Sequence, residues 1–200
     1  MQTDIFLKMR KTILYFITIL FFNNPLAAED ITQISISGIK FGDSLLNYAD
    51  PSLIKDTNVD YYTNDKYSTS RFSIQSDDFA YLEISYKTKD PNFTIVEISG
   101  ISLIDNISQC DTKKKNIFSQ YINLLSKVKK KEDRIKHPYD KSGKSIMFGE
   151  TYHFKKDDRV QFSCTDWSKK VEDEGYQDHF AFSVHRRDFI FWKNKNSKNM

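Results

Sequence analysis

The side chains best suited to chemistry in this chain are two cysteines, Cys110 and Cys164, and four histidines. In an oxidising compartment such a cysteine pair usually forms a disulfide bond, which here would close a long loop. Two alternatives stay open: a pair of buried free thiols, or a reactive Cys110 thiolate favoured near a helix N-terminus. No Cys-x-x-Cys motif accompanies Cys110. We therefore expect the disulfide bond.

The histidines could serve in metal binding or acid–base catalysis, but their spacing favours neither. His179 and His185 are expected on one face of a strand, opposite its phenylalanines and about 20 Å apart. That separation is too large for both rings to bind one metal ion. His153 alternates with apolar residues of another strand, so all three rings are expected to face solvent. We therefore expect no metal site and no cofactor.

Sequence motifs for catalysis are absent from the chain. It contains no Gly-x-Ser-x-Gly elbow, no glycine-rich phosphate loop and no His-Glu-x-x-His motif. Asp157 and Asp158 form a carboxylate pair, which turn chemistry explains. We expect no catalytic residues. One alternative stays open, an envelope hydrolase of unfamiliar type whose fold assembles a histidine and a carboxylate.

Four aromatic residues are candidates for a weak binding surface. Trp167 follows a strand, where its ring can stack on a ligand or cover the core, and packing is favoured. The run of four bulky apolar residues that begins at Phe189 and includes Phe191 and Trp192 cannot face the core as a whole. These three aromatic residues are therefore candidates for docking an envelope partner, unless the domain wraps around their helix.

The N-terminal sequence predicts export from the cytoplasm. Arg10 and Lys11 precede an apolar run over residues 13–22, and small residues follow up to Ala28. This order is typical of a secretory signal peptide cleaved after Ala28. The alternative, an uncleaved membrane anchor, needs about 20 apolar residues, roughly twice the length of this run.

Cleavage would divide the chain into a signal peptide, residues 1–28, and a single domain, residues 29–200. Loss of the signal peptide lowers the formal net charge from +3 to about +1, because it carries more basic than acidic side chains. A domain so close to neutral lacks the charge expected of a nucleic-acid-binding protein. We expect a periplasmic or secreted protein with no transmembrane segment after cleavage.

Two lysine runs, residues 113–115 and 127–131, remain in the predicted domain. They could contact an anionic surface such as lipid headgroups, or lie on a solvated helix face. Acidic residues offset the lysines overall, so we expect the solvated face.

The apolar periodicity predicts an α+β domain. Helical spacing begins after Ser108 and runs into the lysines at 127–131, which suit a helix C-terminus. An amphipathic helix between runs of strands favours a two-layer sandwich, in which this one long helix packs a mainly antiparallel sheet. Short helices are expected near the mature N-terminus and at the C-terminus. Alternating side chains predict strands at 71–75, 81–87, 93–103 with a bulge near Gly100, 146–154, 159–167 and 179–185.

Three segments together resemble a family of uncharacterised secreted proteins from marine alphaproteobacteria. They are residues 38–46 (Gly-Ile-x-x-Gly-Asp-Ser-Leu-Leu), Cys110 at the start of the lysine-rich helix, and Cys164-x-Asp166-Trp167. The resemblance would cover nearly the whole mature chain. It implies a Gram-negative periplasmic setting and carries no activity.

Residues 38–46 also show a much fainter likeness to the small lipoprotein of the outer-membrane barrel-assembly machinery. That family places a similar glycine turn before a short helix and an antiparallel sheet. This chain has no lipobox cysteine after the predicted signal peptide, so neither lipid anchoring nor function is carried over. Together the residues favour a non-catalytic binding or envelope accessory protein, whose partner is an envelope protein or ligand of unknown identity.

Cleavage after Ala28 gives the first prediction. The protein recovered from the periplasm or medium should begin at Glu29 whether translation starts at Met1 or at Met9, because the peptidase reads the small residues before the cut. Intact-mass spectrometry measures this directly. A mass that retains the apolar run would show an anchored protein and contradict the prediction.

Overall fold

The computed structural model describes residues 31–198, and the predicted signal peptide lies outside this range. The helices are α1 (Pro51–Asp56), α2 (Gln109–Leu125), α3 (Lys169–Asp173) and α4 (Arg187–Asn196), with short 3-10 turns at Ile31–Gln33, Leu45–Asn47 and Lys155–Asp157. The strands are β1 (Ser35–Ile36), β2 (Ile39–Lys40), β3 (Asn58–Val59), β4 (Tyr67–Ser73), β5 (Tyr81–Lys87), β6 (Ile95–Leu103), β7 (Lys129–Lys136), β8 (Ile146–His153), β9 (Arg159–Asp166) and β10 (His179–His185).

Strands β3 to β10 form one antiparallel sheet of eight strands in the order β3-β4-β5-β6-β10-β9-β8-β7. The chain builds it as two meanders, β3 to β6 and β7 to β10. The last strand joins them, because β10 pairs with β6 from His179 opposite Leu103 to His185 opposite Glu97. The mixed α+β class with an antiparallel sheet is therefore confirmed.

Helix α2 packs on one face of this sheet and forms the main core. Its Ile117 and Leu125 are buried, and the rings of Phe118 and Tyr121 contact Phe162 and Phe182 at centroid distances of 6.1 and 5.1 Å. The alternating apolar residues of the strands supply the other side of this core, with Leu82, Ile84, Ile98, Val160, Phe162, Phe180, Phe182 and Val184 all buried.

The expected packing by one long helix alone is not confirmed. The C-terminal helix α4 lies against the opposite face of the sheet, where Phe189 packs with Tyr62, Tyr67 and Val96 in a second core. The strand expected at 71–75 begins earlier, since β4 starts at Tyr67. Both faces of the sheet are therefore used for packing.

The expected end of α2 and the expected bulge are also corrected. The helix ends at Leu125, and the lysines from Lys129 onward start the edge strand β7, whose side chains are nearly all exposed. The register of β6 shifts at Val96, which lies between the residues that pair with Ser85 and Tyr86. The bulge is therefore not at Gly100. Gly100 instead leaves room for the ring of Phe79, which a Cβ there would approach to 2.7 Å.

A disulfide bond joins the first turn of α2 to strand β9. Cys110 and Cys164 are bonded, with their Cα atoms 6.1 Å apart, and both side chains are buried. The expected pairing is confirmed. Between residues 31 and 198 no helix combines the length and apolarity that crossing a bilayer requires.

The disulfide bond should stabilise the fold mainly by restricting the unfolded chain. Replacing both Cys110 and Cys164 with serine should lower the free energy of unfolding by about 4 kcal/mol, since the bond links residues separated by 54 positions. Denaturant titration measures the difference. In excess reductant most of this difference should disappear, apart from the cost of burying two serine hydroxyls, and a difference of full size that persists there would contradict this account.

Candidate functional site

The sheet face opposite α2 carries polar side chains aligned in rows across the strands. Strand alternation and register place successive residues of each row directly opposite one another. The first row is Thr69, Ser85, Glu97, His185, Arg159, His153 and Lys129. The second row is Arg71, Glu83, Ser99, Ser183, Gln161, Thr151 and Lys131.

Over β4, β5, β6 and β10 most polar side chains of these rows are hydrogen-bonded to one another. His185 contacts Glu97 as an ion pair, although neither of its buried ring nitrogens forms a hydrogen bond with a described residue. The hydroxyls of Thr69 and Ser85 lie 2.8 Å apart, and the Ser85 hydroxyl donates to Glu97 over 2.7 Å. In the second row Ser99 donates to Ser183 across the joint between the two meanders, over 2.8 Å. We call this region the paired half of the face.

Glu97 is the buried charge of the paired half. Its Oε1 lies 2.9 Å from Nδ1 of His185 and 3.1 Å from Nζ of Lys193 on α4. Burial alone would raise the pKa of Glu97, but the charges of Lys193 and His185 and the Ser85 hydroxyl hold it well below its ordinary value. The carboxylate thus ties α4 to the sheet.

Lys193 completes this ion pair from the helix. Burial would lower the pKa of its ammonium group, and the carboxylate of Glu97 outweighs that effect and raises it. The Lys193 side chain still keeps 38 % of its surface exposed. The pair is therefore only partly withdrawn from water, which limits its contribution to stability.

The aromatic residues of α4 divide between packing and solvent. Phe189 is fully buried, and Trp192 stacks edge-on against Tyr67 and Tyr62 at 4.8 and 4.7 Å. Phe191 is 49 % exposed and lies beneath the guanidinium of Arg187. The domain thus wraps Phe189 and Trp192, and a docking role for these aromatic residues stays a prediction.

Trp167 closes the opposite end of this face. It is 7 % exposed and lies among the rings of His137, Tyr139 and Tyr176, at centroid distances of 4.2, 6.1 and 5.2 Å. Its indole Nε1 is buried and has no hydrogen-bond partner among the described residues. Little of the ring is available for stacking on a ligand, so its binding role also stays a prediction.

The polar side chains over β9 and β8 differ from those of the paired half. No described residue forms a hydrogen bond or ion pair with the side chains of Arg159, Gln161, Ser163, Thr151 or His153. We call this region, with the facing residues of β7, the open half. Helix α4 anchors to the paired half through Tyr67 and Glu97. Apart from Arg159 Nε, the polar atoms of these side chains are therefore accessible at the surface.

Arg159 is the most unusual member of the open half. Its Nε is buried and lacks a partner within residues 31–198. A buried donor without a partner costs about 1–3 kcal/mol. Such a group in a folded protein calls for an explanation, and a bound ligand is one.

Cationic side chains surround His153, which lies directly opposite Arg159 in the open half. Burial lowers the pKa of His153, and the charges of Arg159, Lys129 and Lys131 lower it further, while Asp157 acts in the opposite direction. Like charges placed directly across neighbouring strands are unfavourable. The open half therefore favours an anion.

The expected exposure of the histidines is wrong for His185, which is 8 % exposed at the interface with α4. His179 and His185 do share one face of β10, and His179 is half-buried with Nδ1 3.1 Å from the Gln177 carbonyl oxygen. Within residues 31–198 no three His, Cys, Asp or Glu side chains converge as metal ligands.

Sequence analysis missed Glu97 and Arg159. Alternation along β9 signals that Arg159 lies opposite Val160 and Phe162, on the face away from the core. One neighbour in its row, His153, lies across the same hairpin, but the other, His185, comes from a strand distant in sequence. Comparison with known proteins adds no further guide, since no family model, curated protein or solved structure matches this chain.

The Glu97 cluster gives a pH-dependent stability prediction. Glu97→Gln should lower the free energy of unfolding at pH 7 by about 1–2 kcal/mol, less than for a fully buried pair because Lys193 retains water contact. Since the folded state lowers the pKa of Glu97, the stabilisation is complete above the ordinary value of 4.5 and is lost as the pH falls below it.

Denaturant titrations at pH 7 and pH 3 measure this difference. Glu172→Gln, at an exposed residue of α3, is the matched control and should change stability little at either pH. A Glu97→Gln deficit of equal size at both pH values would show that its charge does not act as described.

Proposed function

We propose that this protein is an exported, non-catalytic binding domain that recognises a component of the cell envelope through the open half of its sheet. The predicted signal peptide and the Cys110–Cys164 bond support an extracytoplasmic location. The resemblance to uncharacterised secreted proteins of marine alphaproteobacteria agrees with a periplasmic setting. The partner is an envelope protein or ligand.

The observation that carries this proposal is the contrast between the two halves of one face. Over β6 and β10, polar side chains satisfy each other, as Ser99 and Ser183 do. Over β9 and β8, Arg159, Gln161 and Thr151 lie at equivalent positions in the same rows without described partners. The half-buried side chains of Arg159 and Gln161 have no partner among the described residues and remain available at the surface. A surface built for recognition leaves them free for a partner.

The alternative, an envelope hydrolase, finds one supporting contact. His185 lies 2.9 Å from Glu97, which is the histidine–carboxylate proximity that such an enzyme needs. That carboxylate is already engaged by Lys193 and Ser85, and α4 covers the pair. Cavities of about 300 and 220 Å³ lie elsewhere and are not lined by His185. The arrangement favours a structural role for this pair.

Blocking the open half should abolish binding without unfolding the protein. Gln161→Trp places a bulky side chain on the half-buried centre of the open half. Asn123→Trp adds the same bulk to an exposed position of α2 and serves as the control. Each immobilised protein is incubated with detergent-solubilised envelope, and retained lipids, glycans and proteins are quantified by mass spectrometry.

We expect at least one component to be retained by the wild type and Asn123→Trp, and to fall at least about tenfold for Gln161→Trp. In calorimetry, the purified component should then bind the wild type and Asn123→Trp with similar affinity, and Gln161→Trp more weakly. Equal retention by all three proteins, or none by the wild type, would contradict the proposed function. Circular dichroism confirms that both variants are folded.

A further inference from the structure

We propose that the first row of the open half, Arg159, His153 and Lys129, is a binding site for a phosphate monoester. This inference rests on the proposed function and names its ligand class. The three side chains come from neighbouring strands β9, β8 and β7, at positions directly opposite one another. We call them the basic row.

The spacing of the basic row suits one multivalent anion. Side chains directly opposite on adjacent strands have Cβ atoms about 4.5–5.5 Å apart. The guanidinium of Arg159 at one end of the row can donate two parallel hydrogen bonds to a phosphate, while the imidazole of His153 at its centre and the ammonium group of Lys129 supply further donors. The row thus offers donors to several oxygens of one ligand.

The nearby acidic groups already have other partners, including Asp158, which accepts a hydrogen bond from the backbone N–H of Arg187 over 2.9 Å. Glu97 contacts Lys193 and His185. Asp157 contacts Arg187 at 3.4 Å, and Asp133 contacts Lys131 at 2.5 Å. No described acidic side chain forms an ion pair with Arg159, His153 or Lys129. The positive charge of the basic row is therefore left for an external anion.

The combination of charge and burial favours phosphate over a single carboxylate. Two permanent cations and a titratable histidine exceed what one negative charge neutralises, whereas a phosphate monoester carries close to two. The second row adds the amide of Gln161 and the hydroxyl of Thr151 beside the cations. The Arg159 guanidinium forms no hydrogen bond or ion pair within residues 31–198, and its terminal nitrogens, which are less buried than Nε, supply donors for this ligand.

Phosphate titration of the oxidised protein at low ionic strength tests the inference. Inorganic phosphate is the probe, followed by calorimetry and by the NMR signal of the His153 ring. We expect saturable binding and a rise in the pKa of His153, because a bound anion offsets the charges of Arg159, Lys129 and Lys131. Arg159→Gln should weaken the affinity at least about tenfold.

Arg134→Gln is the matched control, because it removes the same charge from the opposite face of β7, where Arg134 lies over Phe148. Its phosphate affinity should equal that of the wild type. Equal weakening by Arg134→Gln and Arg159→Gln would show only general attraction by net charge and overturn the site. Absence of saturable phosphate binding to the wild type and of vesicle binding would also overturn it.

Vesicles distinguish the source of the phosphate. Phosphatidylcholine vesicles with phosphatidic acid present a monoester on a lipid, and vesicles without it are the blank. Binding to the former that requires Arg159 supports a lipid headgroup. Binding of inorganic phosphate alone supports a soluble or glycan-borne phosphate. If Gln161→Trp abolishes capture of a neutral component while phosphate never binds, the proposed function stands and this inference fails.

Discussion

The buried carboxylate of Glu97 is the contact on which the assembly of this domain depends. It lies on β6, faces His185 across the only ladder that joins the two described meanders, and receives Lys193 from the C-terminal helix. A charge withdrawn from water is tolerated only when partners surround it. One carboxylate therefore contacts both the ladder that joins the two meanders and the helix that covers it.

This arrangement divides one face of the sheet into two regions that differ in packing. Helix α4 is held over β6 and β4. The paired half therefore becomes a second core with Tyr67 and Phe189 at its centre. The other meander is covered on its α2 side, where the Cys110–Cys164 bond holds the helix to β9. On its second face α4 contacts only the β8–β9 turn, through Arg187 with Asp157 and Asp158, and on β9 the Arg159 side chain is left without a described partner.

Much of the fold followed from local patterns, whereas the site did not. Alternation predicted β5, β8, β9 and β10, and helical spacing with two cysteines predicted α2 and its disulfide bond. Strand β7 was missed because its charged residues show no apolar alternation, since both sides are solvated at the sheet edge. The basic row was missed because its members meet only through the register of β9, β8 and β7, which depends on strand order rather than on spacing along the chain.

The most direct test of the central claim, that the open half is a ligand site centred on Arg159, is crystallographic. Crystals grown without phosphate and soaked in selenate, a tetrahedral dianion with a strong anomalous signal, would locate bound oxyanions. The account predicts an anomalous peak within hydrogen-bond distance of the Arg159 guanidinium, beside His153. Peaks confined to the exposed lysines of other surfaces, with none at Arg159, would contradict it.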